Sequence, residues 1–214
     1  MFPFEMFVKE RVSEKRFKHS VNVAKAARWL AFKYGADEDK AVTAGILHDV
    51  TKEWTVHDHL TFLHTHNIGI SSYEYVSNKL LHAITASCYS KLMLRIYDID
   101  ILNAIRFHTT ARGNMSKLEK IVYLADGISE ERKYSGVNEL RHIADYNLDE
   151  AVFKELSGVI SGELVSKGRL VHPDTIDAYN EYILLREKEK KTVENFSPSG
   201  YIHVNRFRTN VVTK

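Results

Sequence analysis

Proline is nearly missing from this chain. Its 214 residues contain three, Pro3, Pro173 and Pro198, so a long interior runs without one. Because the proline ring removes a backbone N–H and clashes with the preceding turn, it breaks helices and central strands alike. Its absence leaves long regular elements open, and the spacing of apolar residues decides their kind. That spacing is helical rather than alternating, which predicts an all-α fold. Val21, Ala24, Ala27/Arg28 and Ala31 recur at helical intervals in a segment from about 16 to 34, closed by Gly35 as a C-cap. Asp37 reads as the N-cap of a helix over about 38 to 52 that buries Ala41, Ala44, Gly45 and Leu47. Shorter helices are expected at about 56 to 66, 72 to 80, 82 to 94 and 98 to 108. Ser116 with Glu119 fits a capping box opening a helix through Leu118, Ile121, Val122, Leu124 and Ala125. Asn147 and Glu150 cap the next, whose apolar stripe runs Leu148, Val152, Leu156, Val159, Ile160 and Leu164. Pro173 opens the last, through Ile176, Tyr179, Tyr182 and Ile183.

Composition bounds the function classes. With 44% hydrophobic residues the chain can bury a core, and no internal repeat or low-complexity linker divides it. One domain over 1–185 is therefore expected, followed by an extension over 186–214. That extension opens with a charge run, Arg186 to Lys191, and ends in a β-prone stretch with Pro198 and Gly200; it is either flexible or docks on a second subunit, as in a homodimer. Thirty Lys and Arg against 28 Asp and Glu give a formal charge of +2, too balanced for a protein that coats nucleic acid or an anionic membrane. No stretch approaches the roughly 18 apolar residues of a membrane span, so a soluble cytoplasmic protein is expected. Cys88 is the single cysteine, so any metal must be held mainly by nitrogen and oxygen.

Eleven histidines stand out against that background. The most informative is His48, followed at once by Asp49 at the end of an apolar helix, where imidazole and carboxylate can both turn toward one ion. Alone, the pair is a weak signal. It gains weight from His19 in the middle of an apolar helix face, His82 and His108 at helix starts or ends, and Asp126 after the apolar run IVYLA. Two imidazoles and two carboxylates with open positions suit a borderline or hard divalent ion such as iron, manganese, cobalt or zinc.

His19, His48, Asp49 and Asp126 match the H…HD…D signature of HD-domain metal-dependent phosphohydrolases. The segments RFKHSVNVAKAARWLAFKYG, KAVTAGILHDVTKEW, LLHA, FHTTARGNMSKLEKIVYLAD, R-x3-G-V-x2-L-R and HPDTIDAYN occur in that order over about residues 11 to 185. Together they resemble the YqeK subfamily, the bacterial symmetrical diadenosine tetraphosphate hydrolases. The resemblance implies an HD-domain helical bundle, a divalent metal with iron first among the choices, and cleavage of Np4N dinucleotides at the central phosphoanhydride to two nucleoside diphosphates such as ADP or GDP.

The same resemblance implies the site. His19, His48, Asp49 and Asp126 hold the metal, and His19 and Asp126 also border the substrate. His82 and His108 bind phosphate, or hold a second ion with Asp49 bridging. Lys52, one turn after His48, and Arg132, just past Asp126, balance phosphate charge; the plain alternatives are a helix-end cation and a surface ion pair with Glu130 or Glu131. Thr109 and Thr110 offer donors beside His108, and Arg16 and Lys18 flank His19. The loop Leu170, Val171, His172, Pro173, Asp174, Thr175 contacts the nucleotide. Asp49 or Asp126 accepts a proton during turnover, with Lys52 alongside. Two places depart from the subfamily's usual text: Ile128, Ser129, Glu130, Glu131, Arg132 stands where I-E-P-x-R is common, and His82 is followed by Ala83 rather than glycine. His57, His59, His64, His66, His142 and His203 are expected at the surface. Rival readings are an HD phosphohydrolase acting on a dNMP or (p)ppGpp, and a non-catalytic metal- and nucleotide-binding sensor.

Overall fold

The computed structural model describes residues 1–195, and these are all-α. The β-prone tail with Pro198, Gly200 and His203 lies outside the described residues. The helices are α1 (Glu5–Lys9), α2 (Glu14–Tyr34), α3 (Glu38–Leu47), α4 (Val56–Thr65), α5 (Ser72–Val76), α6 (Asn78–Leu92), α7 (Ile99–Phe107), α8 (Lys117–Ile128), α9 (Val137–Ala144), α10 (Leu148–Gly158) and α11 (Pro173–Asn195). None of them is long and apolar enough to cross a membrane.

Local chemistry sets most boundaries. The Ser13 hydroxyl accepts from the Arg16 amide at the start of α2, and Gly35, at φ 63°, closes that helix in the left-handed conformation that glycine adopts without strain. Asp37 caps α3 through the Lys40 amide, Ser116 and Glu119 form the expected capping box on α8, and Asn147 caps α10. Several expectations are corrected. Helix α3 stops at Leu47 instead of continuing to 52, because the chain tightens into i→i−3 turns, with Val50 N–H on Leu47 C=O and Lys52 N–H on Asp49 C=O. Ser77 is extended and divides α5 from α6, so His82 lies inside a helix rather than at its start. Helix α9, unforeseen in the sequence, opens at Gly136 with φ 92° and buries Val137, Leu140, Ile143 and Ala144. The stripe from Leu148 ends as an α-helix at Gly158; Val159–Val165 widens into a π-helical turn with no buried residue. The charge run Arg186 to Lys191 continues α11 across the boundary expected at 185.

Helices α2, α3, α7 and α8 pack on one another around fully buried Leu30, Ile46, Leu47, Ile105, Ile121 and Leu124. Outside them α6 covers α7, α4 rests on α6, and α10 joins α8 to α9 and α11. His59 belongs to this packing and not to the surface: it is 3% exposed, its Nδ1 lies 2.8 Å from Thr85 Oγ1, and its ring faces Trp54. His57, His64 and His142 are exposed as expected, and His66 is half-buried.

Helices α2 and α3 approach each other closely at Gly45. A Cβ on Gly45 would come within 2.9 Å of Ala24 Cα and 3.1 Å of Ala24 N. Gly45→Ala should therefore destabilise the fold by about 1–3 kcal/mol despite alanine's better helix propensity, as overpacking does, measured as a lowered midpoint in urea unfolding; an unchanged midpoint would show that the two helices can part without loss.

Candidate active site

The four central helices bring their chemically active residues to the same place. His19 comes from the middle of α2, His48 and Asp49 from the end of α3, His108 from the end of α7 and Asp126 from the last turn of α8. His82 joins them from α6.

The helix ends explain how the imidazoles are oriented. The last carbonyls of a helix have no intrahelical partner. His48 Nδ1 donates to the Gly45 carbonyl at 2.7 Å, and His108 Nδ1 donates to the Ile105 carbonyl at 2.7 Å. A carbonyl can only accept, so both rings carry their proton on Nδ1 and present a bare Nε2 inward. His19 lies mid-helix and has no free carbonyl below it. Its Nδ1 donates to the Glu131 carboxylate, which also accepts from Asn22 at 2.7 Å and Ser129 at 2.8 Å. Burial pulls the Glu131 carboxyl upward, but the bonds from His19, Asn22 and Ser129 hold it below its ordinary value. The sequence reading missed this residue as a support; its signal was the acid shifted within the Ile128 to Arg132 stretch.

Inside the cluster, like atoms face one another. His48 Nε2 is 3.3 Å from His19 Nε2, and His82 Nε2 is 3.0 Å from His108 Nε2. Two bare imidazole nitrogens at 3.3 Å repel unless a cation is shared between them. Asp49 is 2% exposed; its Oδ2 accepts from Arg16 at 2.6 Å, whereas Oδ1 has no hydrogen-bond partner among the described residues. Ligand atoms of His19, His48 and Asp126 lie within 4.8 Å of one another, and so do those of His48, Asp49 and His108. Orphaned buried oxygen, inward lone pairs and second acceptors behind the rings together fit a divalent cation.

The electrostatics agree. Burial pushes His48 below the ordinary imidazole value even with Asp49 beside it, and burial together with the Lys52 charge pushes His82 down to about 3, whereas Asp126 and Glu131 raise His19 against its burial. Burial would lift the two aspartates, but the surrounding imidazoles of His48, His108 and His82 at Asp49, and His19 and Arg132 at Asp126, hold both well below the carboxylate range.

The remaining expected residues fall into two groups. Lys52 Nζ is 2.9 Å from His82 Nε2 and 3.5 Å from Asp49 Oδ1, and Thr109 Oγ1 is 3.0 Å from His108 Nε2. Arg132 pairs with the Asp126 carboxylate and its Nε reaches the Asp126 carbonyl at 2.9 Å, in place of the surface pair with Glu130 or Glu131. A cleft of about 520 Å³ opens beside these groups, and Lys52, His108, Thr109, Asp126, Arg132 and Glu155 are among its walls. The loop Leu170 to Thr175 is not among its walls. Thr175 Oγ1 donates to the Thr110 carbonyl at 2.8 Å, and His172 is buried against Glu74 and Tyr73, so the loop backs onto the segment that carries His108. Thr110 is buried there, and Leu170 and Pro173 are exposed.

Comparison with known proteins agrees with this geometry. The HD domain family model matches residues 16–131, from Arg16 through Glu131. The symmetrical bis(5'-nucleosyl)-tetraphosphatase of Halalkalibacterium halodurans is 37% identical over 177 residues, spanning 83% of this chain and 94% of its own length. The Staphylococcus aureus protein of the same name is 34% identical over 185 residues, 85% of this chain and 94% of its own. A Clostridium acetobutylicum protein described as an HD superfamily hydrolase involved in NAD metabolism superposes with a TM-score of 0.81 at 36% identity, covering 85% of this chain and 96% of that one. The chain therefore belongs to the HD-domain family, in the branch of the symmetrical bis(5'-nucleosyl)-tetraphosphatases.

Proposed function

We propose that this protein hydrolyses diadenosine tetraphosphate and related Np4N dinucleotides symmetrically, breaking the central phosphoanhydride of Ap4A with one water to release two ADP. The observation that carries the reading is the orphaned Asp49 Oδ1 among inward-facing imidazoles, beside a cleft that Lys52 and Arg132 help to line, in a chain related over most of its length to enzymes named for that reaction.

His19, His48, Asp49 and Asp126 would hold a divalent ion, for which iron is our first choice ahead of manganese, cobalt and zinc. Such an ion, when bound, supplies Lewis-acid charge to a phosphoryl oxygen and lowers the pKa of water near neutrality. The protein's own part is positioning and charge. Lys52 and Arg132 flank the cluster and balance the phosphate chain, Arg132 with a planar fork suited to two phosphate oxygens. His82, with Lys52 already donating to its Nε2, and His108 with Thr109 border the same space and steer the phosphates by polar contact; the closeness of His108 to Asp49 and His48 also leaves it able to serve a second ion. Asp49 Oδ1, without a hydrogen-bond donor among the described residues, is the atom we assign to accept a proton or contact the ion, since Asp126 Oδ1 already accepts from Arg132.

Purified protein supplied with iron(II), manganese(II) or cobalt(II) should convert Ap4A to ADP alone, and a chelator should stop it. AMP with ATP as products overturns the symmetrical reading; turnover of a dNMP or (p)ppGpp in place of Ap4A makes it a different phosphohydrolase; tight ADP binding with no turnover makes it a sensor. His48→Ala and Asp49→Ala should each remove both bound metal and turnover, read by elemental analysis and product assay on the same sample. Glu131→Gln should weaken metal affinity or activity by roughly 10–100-fold, the usual cost of losing the group behind a ligating histidine; full affinity in that variant would show that Glu131 does not orient His19.

A further inference from the structure

A file of buried polar groups leads from α4 to the back of His82. Thr51 and Thr85 in this file are fully buried, and His59 and His82 nearly so. His59 Nδ1 lies 2.8 Å from Thr85 Oγ1, Thr85 Oγ1 lies 2.8 Å from Thr51 Oγ1, and Thr51 Oγ1 lies 3.0 Å from the His82 carbonyl oxygen. One arrangement of protons makes all three pairs. A carbonyl only accepts, so the Thr51 hydroxyl donates to His82. With that proton used, Thr85 donates to Thr51, and the remaining pair is His59 Nδ1–H donating to Thr85. Thr85 Oγ1 is also 3.0 Å from the Leu81 carbonyl and 3.2 Å from the His82 carbonyl. A proton sent to either leaves Thr51 with one hydrogen for two partners. Burial pushes His59 below the ordinary imidazole value, so at neutral pH the ring carries one proton, which these contacts put on Nδ1.

The file ends where the site begins. Thr51 sits between Asp49 and Lys52 in the tight turn after α3, where Lys52 N–H reaches Asp49 C=O. His82 Nε2 is 3.2 Å from Asp49 Oδ1 and 2.9 Å from Lys52 Nζ. The bond from Thr51 to the His82 carbonyl therefore joins the turn to α6 beside all three groups, and it sets how far Asp49 and Lys52 stand from the His82 ring. His59 keeps that bond pointing one way. Without a donor behind it, Thr85 is free to turn its proton to the Leu81 carbonyl one turn back, as helical threonines do. Thr51 is then drawn to donate to Thr85, and the bond to His82 is the one lost.

We propose that His59 is a positioning residue of the active site, acting through Thr85 and Thr51 to fix the spacing of Asp49 and Lys52 from His82. The inference rests on the Np4N reading for the reaction that this spacing serves. His59, Thr85 and Thr51 do not line the cleft, so their effect on turnover passes through the three groups they hold.

The test compares His59→Leu, Thr51→Val and their double variant with His59→Asn, which keeps an N–H where Nδ1 stands, and Thr51→Ser, which keeps the hydroxyl. Rates are taken per folded, metal-loaded molecule. In His59→Leu and in Thr51→Val, kcat/KM for Ap4A should fall roughly 10–100-fold, the cost of misplacing groups at a reacting centre. His59→Asn and Thr51→Ser should stay near wild type, and the double variant should lose no more than the worse single, because both act on one path. Unchanged kcat/KM in the two disruptive variants, losses that multiply in the double, or no rescue by the conservative variants overturns the proposal. Should His59→Leu not fold, His59→Asn and the two Thr51 variants carry the comparison. Imidazole NMR of the zinc-loaded protein reads the same file without turnover. The His59 proton should sit on Nδ1, and the His82 ring resonances should move in Thr51→Val and not in Thr51→Ser; a proton on Nε2, or His82 resonances unmoved, overturns the proposal. A wild type that makes no ADP from Ap4A overturns the Np4N reading, and the NMR result still decides the role of His59.

Discussion

A carboxylate buried at the centre of a helical bundle is the constraint around which this molecule is arranged. Asp49 is 2% exposed, and a lone charge in that position would cost far more than a domain of this size can spare. Arg16 reaches it from α2, Lys52 from the following turn, and imidazoles from α3, α6 and α7 crowd its two oxygens. Even so, one oxygen is left without a hydrogen-bond donor among the described residues. The four core helices could pack with apolar residues at these positions; they carry charges and imidazoles instead because their meeting point is the site.

Two solutions to one problem explain the histidines. A ligating imidazole needs an acceptor behind it to fix which nitrogen faces inward. At a helix C-terminus that acceptor is free, since the carbonyl three residues back has lost its ladder partner, and His48 and His108 both use it. In the middle of α2 the carbonyls are already engaged, so His19 recruits Glu131 from 112 residues away. The support is local in the first case and tertiary in the second.

That difference also decides what the sequence reveals. Caps such as Ser13, Asp37, Ser116 and Asn147, and the order of His19, His48, Asp49, His108 and Asp126, are legible because each depends on residues close by or on a pattern met in order along the chain. His59 looks like a surface residue in a polar stretch and is buried because Thr85, on another helix, holds its ring. Glu131 reads as a surface acid; its role behind His19 comes from neighbours that only the fold supplies. Helix α9 was hidden for a related reason. Eight residues give too short a periodicity to separate from a loop, and its boundary is a backbone angle at Gly136 rather than a side-chain signal.

The approach of α2 to α3 at Gly45 has a consequence for anyone wishing to alter this protein. The backbone contact of Gly45 with Ala24 lies one turn from His48, and the Gly45 carbonyl is the very acceptor that orients the His48 ring. Packing and chemistry therefore share atoms at Gly45, and a substitution that parts α2 from α3 there also displaces the acceptor behind His48. Room for stabilising change lies farther out, on the exposed faces of α4, α9 and α11, where substitutions act on stability without moving the site.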